Sequence, residues 1–212
     1  VLRASKAKGW CTHNAAATYD RDLVKELRDP IALPTDAEVD AAIACVPPMM
    51  GYIMRAAERS GMRQNEIVTL EHSQLVSLPN GTRQIRLIKT KTRRPRTIRL
   101  EGPLLGELPD ILDSVPTYLN GKFFFWHGEG DAYRNFASNY AAQKKDHGIA
   151  FRFHDLRHKF AVDYLRRGGN IYDLQRIMGH SSIKTTELYL LHLDPEERRI
   201  AEHGPGFYAA SK

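Results

Sequence analysis

The last quarter of the sequence is a series of short helix-forming stretches, each closed by a residue that ends a helix. Residues 151 to 167 have the apolar spacing of an amphipathic helix, and a Gly-Gly pair follows directly. Three further helix starts come at Asn170, at or beside Ser182, and at Asp194-Pro195. These helix start and stop signals predict that the end of the chain folds as short helices joined by tight turns.

The upstream part of the sequence mixes helical signals with the alternation of half-buried strands. Thr35 and Glu38 form a capping box ahead of a helix that stops at Pro47-Pro48. The remaining predictions are a helix from about Met49 to Arg59 broken by Gly61, a short helical segment before residue 70, a strand from Gln74 to Leu78, a hairpin over 83 to 99, and a helix from Asp131 to about His147. The expected fold class is α+β, mostly helical, with one small antiparallel sheet.

Composition limits the classes of protein to consider. A chain of 212 residues with 42% hydrophobic and 26% charged residues can bury the core of one domain, or of one domain plus a fragment. No apolar run approaches the roughly 18 residues of a membrane helix, and the first residues lack the apolar region of a secretory signal. Cys11 and Cys45 have neither disulfide nor thiolate-metal spacing. We expect a cytoplasmic protein with reduced cysteines.

Positive charge is concentrated in the predicted hairpin. Eight of its seventeen residues are Lys or Arg and none is acidic, in a chain of net charge +6. One interpretation is an edge hairpin whose cations lie in water and block aggregation. Nucleic-acid contact is favoured, because so many unpaired cations repel one another in the absence of a polyanion. The candidate DNA-contacting residues are Lys89, Arg93, Arg94 and Arg96.

A second group of polar residues indicates chemistry on an anion, and the candidate anion is phosphate. His154 and Arg157 are three residues apart on a predicted helix, so both can reach one phosphate. Tyr189 follows His180 by nine residues. A phenol has a pKa of about 10, so Tyr189 needs activation, which nearby cations supply, before it can act as a nucleophile.

Taken in order, these motifs resemble the tyrosine recombinases, also called the phage integrase family. This chain has HDLRH at 154–158, MGH at 178–180 and a tyrosine nine residues after His180, and this order is similar to the family's signature. Upstream, ERSGMRQNEIVTL resembles its first arginine box, IKTKTRRPRTIRL its lysine-bearing hairpin, and KGWCTHNAAA the end of its core-binding domain. The resemblance covers about residues 9 to 200. Ser60, Ala15 and the position of His192 depart from the usual pattern, but none is a core catalytic position.

The resemblance implies a complete set of catalytic residues. They are Arg63, Lys91, His154, Arg157, His180 and Tyr189, with Tyr189 as the nucleophile and Glu66 as the carboxylate that supports Arg63. Lys89 is the other register for the lysine. The implied reaction cuts and rejoins DNA through a 3′-phosphotyrosyl intermediate and needs no metal, cofactor or ATP.

The resemblance also implies an organisation and a partner. Residues 1–29 are expected to be the tail of a truncated core-binding domain plus a linker, residues 30–203 the catalytic domain, and residues 204–212 a C-terminal tail. The expected partner is double-stranded DNA, bound by a tetramer of the full-length protein; the fragment itself could be monomeric. The expected setting is the cytoplasm, in association with the nucleoid, for a protein that is bacterial or phage-encoded, with no membrane involved.

Three further functions are compatible with the sequence. His154 and His158 have the spacing of the HExxH zinc motif, with His180 or His192 as a third ligand, which would make a metallohydrolase. The motif lacks the glutamate base, and Arg157 lies within it. A non-catalytic DNA-binding module would keep the fold and the basic hairpin without the reaction. A type IB topoisomerase-like enzyme would share the chemistry but let the cut strand swivel.

Overall fold

The computed structural model describes residues 33–88 and 95–204. Contacts divide the chain into two units, 1–31 and 32–212, and every described residue belongs to the second. The predictions for the N-terminal segment, for Lys89, Lys91, Arg93 and Arg94, and for residues 205–212 therefore lie outside the described residues.

The described part of the chain is mostly helical. Its helices are α1 (Asp36–Cys45), α2 (Pro48–Ser60), α3 (Gln64–Val68), α4 (Leu108–Ser114), α5 (Phe136–Asp146), α6 (Phe153–Arg166), α7 (Ile171–Met178), α8 (Ile183–Glu187) and α9 (Pro195–His203). Short 3-10 turns span His72–Gln74, Leu105–Glu107 and Leu188–His192. The strands are β1 (Leu75–Ser77), β2 (Arg83–Leu87), β3 (Arg96–Arg99), β4 (Trp126–His127) and β5 (Asp131–Ala132). None of these helices is long and apolar enough to cross a bilayer.

The core forms where α2 packs against α6. Ile53 and Met54 on α2 and Leu156 and Phe160 on α6 are fully buried. Burying a side chain of this size stabilises the fold by about 1.5–3 kcal/mol. Helices α1 and α4 pack on α2, and α9 packs on α6, so the two central helices are the base on which the polar residues are mounted.

Strands β1, β2 and β3 form an antiparallel sheet in that order. Ile85 of β2 lies opposite Ile98 of β3, and both are fully buried, which fixes the register. The paired strands confirm the hairpin predicted from the alternation over 83–99. Strand β3 also packs against α7, which brings the hairpin close to the turn that carries His180.

The helix caps predicted at Thr35, Asn170 and Asp194 are confirmed. Thr35 and Glu38 make a reciprocal capping box at the start of α1. Asn170 accepts a hydrogen bond from the main-chain nitrogen of Tyr172 at the start of α7, and Asp194 caps α9.

The prediction of a helix starting at Asp131 is wrong, as is that of a single sheet. Helix α5 begins at Phe136, because Asp131–Ala132 pairs with Trp126–His127 as a second, two-stranded sheet. The indole nitrogen of Trp126 donates to the Pro116 carbonyl at 2.7 Å, a contact that anchors this hairpin to a distant loop. Pairing and anchoring of this kind override the local preference of Asp131 for a helix start.

Gly61 sets how closely the central helices approach. It ends α2 with φ of 60°, and a Cβ built there would lie 2.3 Å from Phe160 Cδ1. A side chain at this position would suffer both backbone strain and a collision with the α6 core.

We predict that Gly61→Ala lowers the free energy of unfolding by about 3 kcal/mol, from the sum of strain and overpacking. Urea unfolding measures the loss. Gly148→Ala is the matched control, because Gly148 has φ of 65° but no atom within 4 Å of its Cβ position. That control should lose only about 1 kcal/mol; equal losses in the two variants would contradict the close approach.

Candidate active site

The arginines of the candidate site converge on the last turn of α7. The final carbonyls of any α-helix have no partners within the helix. Here three successive carbonyl oxygens each accept a hydrogen bond from a different arginine. The pairs are Arg96 Nε with the Ile177 oxygen at 2.9 Å, Arg157 Nη2 with the Met178 oxygen at 2.8 Å, and Arg63 Nη2 with the Gly179 oxygen at 3.1 Å.

Gly179 makes this arrangement possible. It follows α7 with φ of 66°, and a Cβ there would lie 3.1 Å from the Arg96 side chain. Both the backbone conformation and the arginine therefore favour glycine. The turn at Gly179 delivers His180 to the cluster.

Arg157 is the buried centre of the site, with 4% of its surface exposed. Its guanidinium donates to the carbonyls of Gly61 and Met178 and lies 3.2 Å from His180 Nε2. Burial, reinforced by the positive charge of Arg63, lowers the pKa of Arg157 to about 10. It remains a cation at neutral pH, and its partners here are uncharged groups, so it keeps a strong attraction for an anion.

Glu66 is the buried carboxylate of the site. It receives two hydrogen bonds of 2.7 Å from the Arg96 guanidinium, one of 2.8 Å from the main-chain nitrogen of Arg63, and a longer one of 3.3 Å from the Arg63 side chain. Burial alone would raise the pKa of Glu66, but the Arg96 guanidinium holds it below its usual value. Glu66 is therefore charged, and it contacts Arg63 as the sequence predicts.

The position of Arg96 differs from its prediction as a DNA-contacting residue. Its side chain is 9% exposed and is held between Glu66 and the Ile177 carbonyl. The sequence contains a signal for this: Arg96 is two residues from the fully buried Ile98, so strand alternation puts both on the inner face. The sequence interpretation weighed only charge density and missed it.

His154 and His158 lie one turn apart on α6. His154 is exposed, while His158 is half-buried, and their ring centroids are 4.7 Å apart. His158 Nδ1 lies 3.0 Å from the hydroxyl oxygen of Tyr189. Burial, followed by the neighbouring His154, lowers the pKa of His158 to about 4. Sequence reasoning considered His158 only as a zinc ligand and did not find its contact with the tyrosine.

Tyr189 and His180 complete the cluster. Tyr189 lies on the 3-10 turn after α8, with 3% of its surface exposed, and its ring lies parallel to that of His180 at 6.4 Å. Burial raises the pKa of the Tyr189 phenol, whereas the charge of Arg157 opposes that rise. The sequence predicted a helix carrying Tyr189; the helical segment ends at Glu187 and tightens into the 3-10 turn.

The tautomer of His180 follows from its partners. Arg157 can only donate, so His180 Nε2 accepts, and the ring proton is on Nδ1, 2.8 Å from the hydroxyl of the fully buried Thr186. Burial and then Arg157 lower the pKa of His180 to about 4. The ring is therefore neutral at physiological pH.

The structure thus brings together five of the six predicted catalytic residues: Arg63, His154, Arg157, His180 and Tyr189. Lys91 is outside the described residues. Within residues 33–88 and 95–204, no group of three or more His, Cys, Asp or Glu side chains could hold a metal ion.

The lowered pKa values of His158 and His180 predict a pH-dependent stability. A histidine whose pKa falls from 6.5 to about 4 on folding resists a proton that the unfolded chain accepts. The free energy of unfolding should therefore fall as pH drops from about 6.5 toward 4. Urea unfolding across this window should show a shallower fall for His180→Asn. The exposed His147→Asn is the control; an unchanged slope in His180→Asn would contradict the assignment.

Comparisons with known proteins agree on one family. The model of the phage integrase family matches residues 37–196. The integrase of Haemophilus phage HP1 is 32% identical over 154 residues, which cover 73% of this chain and 40% of that protein. The integrase of Escherichia phage P2 is 30% identical over 137 residues, covering 65% and 36%. The chain thus spans well under half the length of these relatives.

Solved structures show the same fold. The catalytic domain of the bacteriophage HP1 integrase matches with a TM-score of 0.56 and 27% identity, over 79% of this chain and 90% of that one. A lambda integrase fragment, solved as a dimer bound to a COC′ core site, matches with a TM-score of 0.67 and 21% identity, over 89% and 68%. The expected α+β fold class is confirmed. Since the family model matches more than half of its length, the chain belongs to the phage integrase family.

Proposed function

We propose that this chain is the catalytic portion of a site-specific DNA recombinase, which cuts and rejoins DNA through a 3′-phosphotyrosyl intermediate. The observation that carries the proposal is the placement of Tyr189 beside the buried Arg157 and the half-buried His158 and His180 of the same chain. A nucleophile is thereby next to Arg157, a cation suited to hold a phosphodiester, and Arg63 belongs to the same cluster.

In the proposed reaction, the Tyr189 oxygen attacks the scissile phosphorus and displaces the 5′-oxygen of the next nucleotide. Arg63 and Arg157 hold the non-bridging oxygens and stabilise the charge of the pentacoordinate transition state. Lys91 gives a proton to the departing oxygen. A 5′-hydroxyl from a partner duplex then attacks the phosphotyrosine, so one phosphoester replaces another and no ATP is consumed.

His154 and His180 are proposed to contact the same phosphate, and Glu66 to hold Arg63 in place. The contact between Glu66 and Arg63 supports this last role. Lys89, Arg93 and Arg94 are proposed to contact the DNA backbone. Arg96 is reassigned, because its guanidinium is occupied by Glu66.

The proposed partner is double-stranded DNA, and the proposed assembly is a tetramer of the full-length protein on DNA. A related structure supports this: a lambda integrase tetramer bound to a Holliday junction matches this chain with a TM-score of 0.67. The proposed catalytic domain spans residues 30–203, between an N-terminal segment of residues 1–29 and a C-terminal tail of residues 204–212. The proposed location is the bacterial cytoplasm, at the nucleoid.

We predict that Tyr189→Phe abolishes covalent attachment to DNA, because the variant lacks the attacking oxygen while the packing of the ring is unchanged. The assay uses a nicked suicide substrate and resolves the adduct on a denaturing gel. Tyr172→Phe is the matched control, since Tyr172 is 60% exposed on α7. Its adduct should form at the wild-type level.

An adduct that persists in Tyr189→Phe would overturn the choice of nucleophile. DNA binding without an adduct in the wild type would favour the non-catalytic DNA-binding module. A chelator should leave the adduct intact, and loss of activity with EDTA would favour the metallohydrolase with zinc at the HDLRH motif. Relaxation of supercoiled DNA without strand exchange would favour a type IB topoisomerase.

A second prediction identifies the lysine that protonates the leaving oxygen. A DNA substrate with sulfur at the bridging 5′ position has a leaving group that needs no proton. Lys91→Ala should cut ordinary DNA about 10²- to 10³-fold more slowly than the wild type, and the sulfur substrate should remove most of that defect. Lys89→Ala is the matched control from the other register. If the sulfur substrate restored the cleavage rate of Lys89→Ala and not that of Lys91→Ala, the proton donor would be assigned to Lys89.

A further inference from the structure

The contact between His158 and Tyr189 has no role in the reaction as proposed from the six predicted residues. His158 Nδ1 lies 3.0 Å from the Tyr189 hydroxyl oxygen, within hydrogen-bonding distance. Tyr189 is 3% exposed, so this hydroxyl has little access to water as a proton acceptor. A buried phenol that becomes a nucleophile must nevertheless lose its proton as the bond to phosphorus forms.

We propose that His158 is the group that receives the proton of Tyr189 during DNA cleavage and returns it during rejoining. This inference rests on the proposed function. It assigns a catalytic residue outside the six predicted from the sequence, because His158 touches the reacting atom itself.

The environment of His158 favours an unprotonated ring in the resting enzyme. The charged and titratable groups that face it are His154, Asp155 and Arg157 on its own helix and Arg152 just before that helix, with His180 and Tyr189 from the turns packed against α6. Burial, then His154, and then Arg157 and Arg152 lower its pKa to about 4, against a smaller opposing effect of Asp155. A neutral ring with its proton on Nε2 presents a free lone pair on Nδ1, and the tyrosine hydroxyl donates to it.

Phosphate binding would change that environment in the required direction. Arg157, whose charge disfavours a protonated His158, would also hold the phosphodiester, and the anion would offset that charge. His158 would then become a better base when the substrate is in place. This sequence of events limits ionisation of Tyr189 to the DNA-bound state.

The proton balance of the step is complete. The bond from Tyr189 oxygen to phosphorus forms, the bond from phosphorus to the 5′-oxygen breaks, and the tyrosine proton moves to His158 Nδ1. Lys91 supplies the proton of the leaving oxygen. In rejoining, the incoming 5′-hydroxyl loses its proton to Lys91, and the imidazolium returns its proton to the tyrosine oxygen.

The test compares His158→Asn with the wild type on the suicide substrate. The asparagine amide occupies about the place of Nδ1 and can bond to the tyrosine hydroxyl, but it cannot take up a proton. We expect adduct formation to slow by about 10²- to 10³-fold, with DNA affinity and the urea unfolding midpoint near wild type. His147→Asn, at an exposed position, is the matched control.

Two chemical readouts separate proton transfer from a structural role. The sulfur substrate should leave the His158→Asn defect in place, because His158 acts on the nucleophile and not on the leaving group. A fluorinated tyrosine at position 189 has a lower phenol pKa, so it should reduce the defect of His158→Asn by at least about tenfold. His158→Gln, if it folds when His158→Asn does not, carries the same expectations.

Each outcome decides between the proposals. A His158→Asn rate within about threefold of wild type, rescue by sulfur, or no rescue by the fluorinated tyrosine would overturn the role of His158 while leaving the recombinase proposal intact. A wild-type protein that forms no adduct with an intact Tyr189 would overturn both.

Discussion

The candidate site depends on the way one short helix ends. The last carbonyls of α7 point at three guanidiniums, and each guanidinium comes from a different part of the fold: α6, strand β3 and the turn before α3. The negative end of the helix dipole offsets part of the repulsion among these cations. Glu66 offsets more of it. Burial is the main cause of the lowered pKa of Arg157, and the charges of Arg63 and Arg96 lower it further, so part of the repulsion among the cations remains. A bound phosphate would relieve the remainder.

The predictable features of the fold were those set by neighbouring residues. The capping box of α1, the caps of α7 and α9, and the break at Gly61 involve residues within four positions of one another, so the sequence reveals them directly. The start of α5 could not be predicted, because Asp131 pairs with His127 as part of strand β5. The partner strand β4 is held in turn by the hydrogen bond from Trp126 to the Pro116 carbonyl. Such pairing has no local signature.

In the site, too, some features could be predicted from the sequence, while those that depend on distant partners could not. The family resemblance indicated the arginines, the histidines and Tyr189, and the structure assembles the described ones in one cluster. Resemblance could not show where each side chain makes its hydrogen bonds. Arg96 finds Glu66 thirty residues earlier and Ile177 eighty-one residues later. His158 meets a tyrosine thirty-one residues away. Charge density and motif spacing contain no information about these distant partners.

Arg96 also ties the electrostatics of the site to the pairing of the strands. Its inward direction depends on the register that sets Leu87 opposite Arg96 and Ile85 opposite Ile98. A slip of one residue would turn Arg96 outward, because successive side chains of a strand face opposite sides. Glu66 would then lose its two shortest hydrogen bonds and shift toward Arg63, whose donors would no longer face a substrate. An insertion of one residue between Arg96 and Ile98 would therefore disable a distant arginine without touching it, so the function of Arg63 depends on the residue spacing within β3.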